Sequence, residues 1–214
     1  MYDVPAAEGP IAVVGTSGAG KSALVTFLGE ALGWRPVIED ATSNPYLVPY
    51  YRDRSRWCFH NEVWFLTKRL LQYQTALASG RDFLQERSFQ EDRDVHAAYA
   101  HDTGVLSDAD WATCCQLFEA LTIGVPRPRL TLYVYATEST LRRRLSMRGE
   151  YGDSEYPIQF ASGHSPYYER LIGEAVESVL RLDSDRLDWV SSGDDKRAVA
   201  RQVGAALDNL HRAE

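Results

Sequence analysis

Short apolar runs alternate along the chain with longer segments in which apolar residues recur at helical spacing. The short runs predict five β-strands, at residues 11–14, 36–39, 82–85, 129–135 and 187–190. The longest helical segment extends from about residue 54 to residue 78. Because strands that alternate with helices pack as a parallel sheet with helices on its faces, the pattern predicts an α/β fold with a five-stranded parallel sheet.

The chain has 214 residues, a formal net charge of −7 and 44% hydrophobic residues. This length and composition predict a single domain over residues 1–214 with a core of its own. The acidic balance argues against binding to nucleic acid, and no apolar run has the length of an export signal or a membrane span. Cys58, Cys114 and Cys115 lack metal-ligand spacing, so we expect reduced thiols and a cytoplasmic protein.

A glycine-rich run follows the first predicted strand and precedes a predicted helix. It fits the pattern G-x-x-x-x-G-K-[ST] and consists of Gly15, Thr16, Ser17, Gly18, Ala19, Gly20, Lys21 and Ser22. In this motif the glycines let backbone N–H groups surround the phosphates of a nucleotide, the lysine reaches the β/γ oxygens and the hydroxyl holds Mg²⁺. The sequence therefore predicts a P-loop that binds ATP, or another nucleoside triphosphate, together with Mg²⁺.

Two further strand ends carry groups that phosphoryl transfer requires. Glu39 ends the second predicted strand and is the best candidate for the base that activates a nucleophile, with Asp40 as its competitor. After the third strand, Glu86 is placed to contact Mg²⁺ and Arg87 to bridge the base and the transferring phosphate. Ser88 and Glu91 form a capping box that starts the next helix.

A basic helix with arginines at four positions between residues 142 and 148 ends at Gly149. Arg144 and Arg148 are four residues apart, so they share one helix face and could close over a triphosphate. The alternative is an ordinary solvated basic face. With the polar segment that follows, residues 142–157 are predicted to form a lid. A GTPase is disfavoured because the N-K-x-D run is absent, and a motor-type ATPase because the fourth strand offers no carboxylate before Glu138.

Three parts of the chain resemble the deoxyribonucleoside kinase family, which includes deoxycytidine, deoxyguanosine and deoxyadenosine kinases. They are Asn44-Pro-Tyr-Leu47 with the segment from Arg56 to Leu66 and Arg69, then Glu86-Arg-Ser88 with Glu91-Asp92, and finally the basic lid. The resemblance covers residues 11 to 170. It implies a P-loop kinase fold, a homodimer, and transfer of the γ-phosphate of ATP to the 5′-hydroxyl of a (deoxy)nucleoside, with a purine as the expected base.

The resemblance also implies roles for individual residues. Glu39 falls on the family's general base, Arg87 on the arginine beside it and Glu86 on the metal-linked acid. The positions that fall on the nucleoside site are Tyr51 and Asp153 at the sugar 3′-hydroxyl, Arg69 and Asp92 as a charged pair at the base, Trp57 as a pocket aromatic, and Glu62 and His96 at the base.

Three positions depart from the family pattern. Glu62 stands where a base-reading glutamine is usual, His96 where a phenylalanine usually stacks on the base, and Glu150 where a further lid arginine often follows. An ionised carboxylate offers acceptors only, so Glu62 would favour a guanine-type base, with Arg69 facing the O6/N7 side. The alternative is that Glu62 is neutral or salt-bridged and that selectivity is ordinary.

Two other functions fit parts of the sequence. One is a P-loop kinase for a nucleoside monophosphate or a small antibiotic-like alcohol, because arginines at positions 52, 54 and 56 lie near the expected sugar site. The other is a catalytically silent binding subunit with a kinase fold. The presence of Lys21, Ser22, Glu39, Glu86 and Arg87 disfavours the silent subunit, whereas the sequence leaves the first of these functions open.

Overall fold

The computed structural model describes residues 9–148 and 162–213. Five parallel strands form one sheet in the order β2-β3-β1-β4-β5. The strands are β1 (Ile11–Val14), β2 (Arg35–Val37), β3 (Phe83–Glu86), β4 (Leu130–Tyr135) and β5 (Ser178–Asp183). The predicted fold class is confirmed, and β1, at the centre of the sheet, leads directly into the glycine-rich loop.

Helices cover both faces of this sheet. In the described part of the chain they are α1 (Lys21–Leu32), α2 (Leu47–Arg52), α3 (Arg54–Leu77), α4 (residues 89–102), α5 (Asp108–Thr122), α6 (Glu138–Arg148), α7 (Ser165–Gly173) and α8 (Gly193–Ala213). Helix α4 changes geometry along its length: Phe89–Glu91 is α-helical, Asp92–Ala97 is π-helical and Ala98–Asp102 is α-helical again. Such π-helical turns are rare and frequently lie at functional sites.

The sheet is buried because each of its faces packs against an apolar stripe of helix. On one face, α1 and α8 contribute Leu24, Leu28, Val199 and Val203 to a core that includes Leu132. On the other face, Tyr168 and Ile172 of α7 pack with Ala12, Val14 and Tyr133. Helix α3 packs through Leu66, Leu70 and Tyr73 near Phe83 at the β3 side. None of the helices described here combines the length and the apolar character needed to cross a membrane.

The fifth strand was wrongly predicted. Three of the four residues at 187–190 are apolar, but they do not pair with the sheet; β5 is Ser178–Asp183, which pairs with β4 along its whole length. Trp189 is buried in the main core and its indole Nε1 donates to the Gly20 carbonyl oxygen at 3.1 Å, whereas Leu187 packs against the same core and Val190 is exposed. The apolar residues of this segment therefore serve core packing and, through Trp189, contact with the glycine-rich loop.

The other predicted boundaries agree with the structure to within two residues. Residues 36–39 were predicted as the second strand, but β2 ends at Val37, so Glu39 lies in the loop just beyond it. The capping box at α4 is confirmed, since the Ser88 hydroxyl accepts from Glu91 N and the Glu91 side chain accepts from Ser88 N. The strand ends thus bring the predicted catalytic groups to one edge of the sheet.

Candidate active site

The glycine-rich loop has the backbone geometry that a phosphate cradle needs. Gly15 and Gly20 have φ of 139° and 103°, in the region that favours glycine. A Cβ atom on Gly15 would lie 2.1 Å from the Val134 carbonyl oxygen, so no other residue fits there. The Lys21 ammonium is buried and donates to Thr16 O at 3.0 Å. Burial and the charge of Arg87 lower the pKa of Lys21 to about 8.

Ser22 and Glu86 lie together beside this loop. The Ser22 hydroxyl donates to Glu86 Oε1 at 2.6 Å, and Glu86 Oε2 accepts from the backbone N–H of Glu39 at 3.1 Å. A hydroxyl and a carboxylate are hard oxygen donors of the kind that Mg²⁺ takes from proteins, with phosphate and water oxygens completing its shell. These two residues therefore fit the predicted magnesium site, although the described residues hold no cluster of three or more metal-ligating His, Cys, Asp or Glu side chains.

Glu39 is held by two arginines. Arg69 Nη2 donates to Glu39 Oε1 at 2.9 Å, and Arg87 Nε donates to Glu39 Oε2 at 2.8 Å. Burial by itself would raise the pKa of the Glu39 carboxyl, but the charges of Arg87 and Arg69 outweigh burial and lower that pKa to about 2. Glu39 is therefore ionised at every physiological pH. Each of its oxygens keeps lone pairs for a further donor.

Arg87 stands between the loop and Glu39. Its backbone has φ of 62°, and it is the only non-glycine residue with positive φ in the described parts of the chain. Its Nη2 donates to the Ser17 hydroxyl at 3.0 Å. A left-handed backbone at a side chain costs free energy and persists where the surroundings fix it, often at active sites. The turn after β3 thus directs one guanidinium at both the base and the phosphate loop.

Two cavities meet at these residues. One has about 1290 Å³ of empty space, counted to its open mouth, and is lined by the glycine-rich loop, Lys21, Ser22 and Glu86. The other has about 550 Å³ and lies on the far side of Glu39. Both are lined by Ser17, Glu39, Ala41, Leu47 and Arg87. A group bound in one cavity and a group bound in the other would therefore approach each other at Glu39 and Arg87.

The inner end of the smaller cavity is crowded with buried polar groups. Arg69 donates from Nε to Asp92 Oδ2 at 2.8 Å and from Nη2 to Asp92 Oδ1 at 3.0 Å. Burial raises the pKa of Asp92 to about 6 although Arg69 opposes the shift. Beside this pair, Glu62 Oε1 accepts from Asn61 Nδ2 at 3.2 Å. Burial and the nearby Asp92 raise the pKa of Glu62 to about 8.

His96 lines the same cavity from the π-helical turn of α4. Its Nε2 lies 3.2 Å from Arg87 Nη1. Because an arginine can only donate, Nε2 is the acceptor and the ring proton is on Nδ1. Burial and the neighbouring charges of His164 and Arg87 hold the pKa of His96 well below its usual value. His96 is therefore a neutral ring that supports the arginine.

The other predicted site residues differ in whether they line a cavity, contact the glycine-rich loop or lie outside the described residues. Tyr51 lines the smaller cavity, whereas Trp57 lies outside the linings of both cavities and stacks on Tyr46 at 5.9 Å between ring centroids. Arg144 donates to the loop carbonyls of Gly18 and Ala19 at 3.3 and 3.1 Å. Two predictions fall beyond the described structure: Asp153, and the side chain of Arg148, the last residue of α6.

Two site residues escaped the sequence analysis. Glu91 was predicted as a helix cap within the family-like segment and was given no role at the site, yet its Oε1 accepts from the Tyr168 hydroxyl at 2.6 Å and from Arg87 Nη1 at 3.3 Å. Tyr168, in α7, is fully buried and has no local motif around it. The only signal in the sequence was the adjacency of two acids, Glu91 and Asp92, three residues after Ser88.

Comparisons with known proteins bear on the family and the fold of the chain. The chain is 29% identical over 204 residues to the deoxyadenosine/deoxycytidine kinase of Bacillus subtilis, covering 92% of each chain. It is 26% identical over 217 residues to the deoxyguanosine kinase of Lactobacillus johnsonii, covering 95% of each. A solved structure of the deoxyadenosine kinase of M. mycoides shares the fold, with a TM-score of 0.75 at 20% identity over 92% of this chain and 99% of that one. Residues 11–208 match the sequence profile of the deoxynucleoside kinases; the chain belongs to that family.

Proposed function

We propose that this enzyme transfers the γ-phosphate of ATP, or of another nucleoside triphosphate, to the 5′-hydroxyl of a deoxynucleoside whose base carries an amino donor next to a ring acceptor, as adenine and cytosine do. The observation that carries the proposal is the position of Glu39. It lies where the cavity of the glycine-rich loop meets the smaller cavity, and it is ionised and fixed by two arginines.

The residues divide the reaction between them. The loop N–H groups and Lys21 hold the triphosphate, and Ser22 with Glu86 would hold Mg²⁺, which supplies further positive charge to the phosphates. The nucleoside hydroxyl donates to Glu39 and is thereby oriented. The bond between this oxygen and the γ-phosphorus forms as the β–γ bridge breaks, and the hydroxyl proton passes to Glu39. Because the pKa of Glu39 is about 2, this proton moves late, once the bond to phosphorus has acidified it.

The charges of the smaller cavity favour an alcohol over a phosphate as acceptor. Two carboxylates that line it, Glu39 and Asp92, are already paired with the two lining arginines, Arg69 and Arg87. No other lysine or arginine belongs to the lining among the described residues. A nucleoside monophosphate would bring two negative charges into this site without a free cation to receive them. The nucleoside kinase is therefore favoured over the monophosphate kinase.

The protonation state of Glu62 bears on the choice of base. Its carboxyl is buried beside Asp92, and in the described structure it makes no ion pair, because Arg69 is committed to Asp92 and Glu39. With a pKa of about 8, raised by burial and by Asp92, it is neutral at pH 7. A neutral carboxyl offers one donor and one acceptor, like a glutamine amide. This supports ordinary selectivity over a preference for guanine.

A panel assay tests the proposal directly. The protein is incubated with ATP, Mg²⁺ and each of the four deoxynucleosides or their 5′-monophosphates, and the products are separated by chromatography. We expect 5′-monophosphates from deoxyadenosine and deoxycytidine, less from deoxyguanosine, and no diphosphates from monophosphates. ATP consumption with monophosphates alone would contradict the proposal. Thermal stabilisation by nucleosides without any product would point to the silent binding subunit.

The choice of base is tested by pH. Between pH 6.5 and pH 9, ionisation of Glu62 is expected to lower the ratio of kcat/KM for deoxyadenosine to that for deoxyguanosine. In Glu62→Gln, an amide that cannot ionise, the ratio is expected to stay constant. A change in the order of preference at pH 7 in this variant would instead support an ionised Glu62 that selects guanine.

A further inference from the structure

The guanidinium of Arg87 makes hydrogen bonds on two opposite sides. Its Nε and Nη2 face Glu39 and Ser17, as described above. Its Nη1 faces the opposite way, toward Glu91 Oε1 at 3.3 Å, the Tyr168 hydroxyl at 3.2 Å and His96 Nε2 at 3.2 Å. The rear face of the arginine is thus surrounded by three fully or largely buried side chains from α4 and α7.

Helix capping explains the contacts of only one of the two carboxylate oxygens of Glu91. Its Oε2 accepts from Ser88 N at 2.7 Å, which completes the capping box. Its Oε1 accepts from the Tyr168 hydroxyl at 2.6 Å, from Arg87 Nη1, and from Gly15 N at 3.4 Å. A buried carboxylate is costly unless it is paired and hydrogen-bonded, so a cap alone does not explain an acid here.

Tyr168 contacts this carboxylate from helix α7, which is distant in the chain. It is fully buried, its ring stacks on Tyr133 at 5.9 Å between centroids, and its hydroxyl lies 3.0 Å from the Gly15 carbonyl oxygen. The hydroxyl has a single proton, and the 2.6 Å distance gives that proton to Glu91. Burial and the charge of Glu91 raise the pKa of Tyr168 well above its usual value, so the hydroxyl remains a donor.

We propose that Glu91 and Tyr168 form a positioning pair that holds the Arg87 guanidinium in its shared orientation between Glu39 and Ser17. Without the pair, Nη1 has no anionic partner behind it. The guanidinium would then turn to make a bidentate contact with Glu39, the preferred arrangement of arginine and carboxylate. Such a contact would break the hydrogen bond from Nη2 to Ser17 and move Nη2 away from the junction of the two cavities, where the phosphate is transferred.

This inference rests on the proposed function, because it assigns Glu39 and Arg87 to phosphoryl transfer. It places Glu91 and Tyr168 outside the catalytic residues, since neither lines the two cavities. They act through Arg87. Their loss should therefore lower the rate of transfer while substrate binding remains nearly unchanged.

Tyr168→Phe tests the pair with a minimal change. We expect kcat to fall about 10- to 100-fold, the range that misplacement of a catalytic group produces, with little change in either KM. The matched control is Tyr73→Phe, since Tyr73 is also buried and donates its hydroxyl proton to Pro126 O at 2.6 Å, away from both cavities. The control should lower the melting temperature and leave kcat unchanged. Equal kcat in the two variants would overturn the proposal.

A double-mutant cycle separates positioning from general loosening of the structure. In an Arg87→Lys background, which lacks the rear-facing Nη1, Tyr168→Phe should reduce the single-turnover rate little further. Losses that multiply across the two changes would mean that Tyr168 does not act through Arg87. Glu91→Gln, which turns an amide N–H toward Tyr168 and Arg87, should reduce kcat at least as much as Tyr168→Phe. Wild-type protein without any nucleoside phosphorylation would instead refute the proposed function itself.

Discussion

The two cavities of this enzyme are built in different ways. In the larger one, the phosphate cradle is formed by eight consecutive residues, 15–22, whose glycines fix the backbone and whose only charge is Lys21. Residues between positions 39 and 48, together with Glu86 and Arg87, complete the lining. The smaller one draws its charged groups from α3, α4, the turn after β3 and the loop after β2, and ion pairs join Glu39, Arg69, Arg87 and Asp92 into one network. A phosphate cradle can thus be local, whereas a nucleoside site with buried acids needs partners from several elements.

Glu39→Gln should have the largest effect, because Glu39 belongs to both cavities. The amide keeps the size of the side chain but cannot take the hydroxyl proton, so kcat should fall by about 10²- to 10⁴-fold. Calorimetry should show ATP binding nearly unchanged. Lys21→Ala is the contrasting variant, in which ATP affinity itself falls. Substantial turnover in Glu39→Gln would mean that a group other than Glu39 accepts the hydroxyl proton.

Arg69→Gln tests the interdependence of the smaller cavity. It leaves Asp92 and part of Glu39 buried without their cation, so we expect destabilisation by about 3–5 kcal/mol, the range for a broken buried ion pair. Chemical denaturation measures the change. The control is Arg181→Gln, which breaks an exposed pair with Glu169 and should cost about 0–1 kcal/mol. Similar costs in the two variants would show that the buried network is not cooperative.

Glu62→Gln should raise stability rather than lower it. The folded carboxyl has its pKa raised to about 8, whereas the unfolded one titrates near its ordinary value. The protonated carboxyl therefore makes its full contribution to the free energy of unfolding below the ordinary pKa of 4.5, and this contribution is lost as pH rises from there through 8. An amide avoids this loss, so the variant should gain roughly 1–3 kcal/mol at pH 7 and less at pH 5. A gain independent of pH would mean that Glu62 does not titrate in this range.

Trp189→Phe should have the smallest effect and should be confined to the larger cavity. The change removes one hydrogen bond, from Nε1 to the Gly20 carbonyl oxygen, and should cost about 1 kcal/mol. The KM for ATP should rise while the KM for the nucleoside stays constant. A change in the nucleoside KM would show that the two cavities are coupled through the glycine-rich loop.

The sequence predicted the phosphate loop of the larger cavity well because the residues of this loop are contiguous. The strand, the glycines, Lys21 and Ser22 follow one another within the chain, and Glu86 is marked by the strand that it ends. The error at residues 187–190 has the opposite origin. Their apolar residues resemble a strand, but Leu187 and Trp189 pack into the main core outside the sheet, and nothing local distinguishes the two uses.

By itself, the sequence determined the parallel α/β fold, the phosphate loop and the residue types of a nucleoside kinase, since these depend on periodicity and on short motifs. Only the tertiary structure decided that Arg69 is shared by Asp92 and Glu39, that burial beside Asp92 raises the pKa of Glu62 to about 8, and that Glu91 and Tyr168 contact Arg87 on the side away from Glu39. The physical reason is that burial and pairing set the charge and orientation of each group, and the partners lie up to 81 residues apart in the chain.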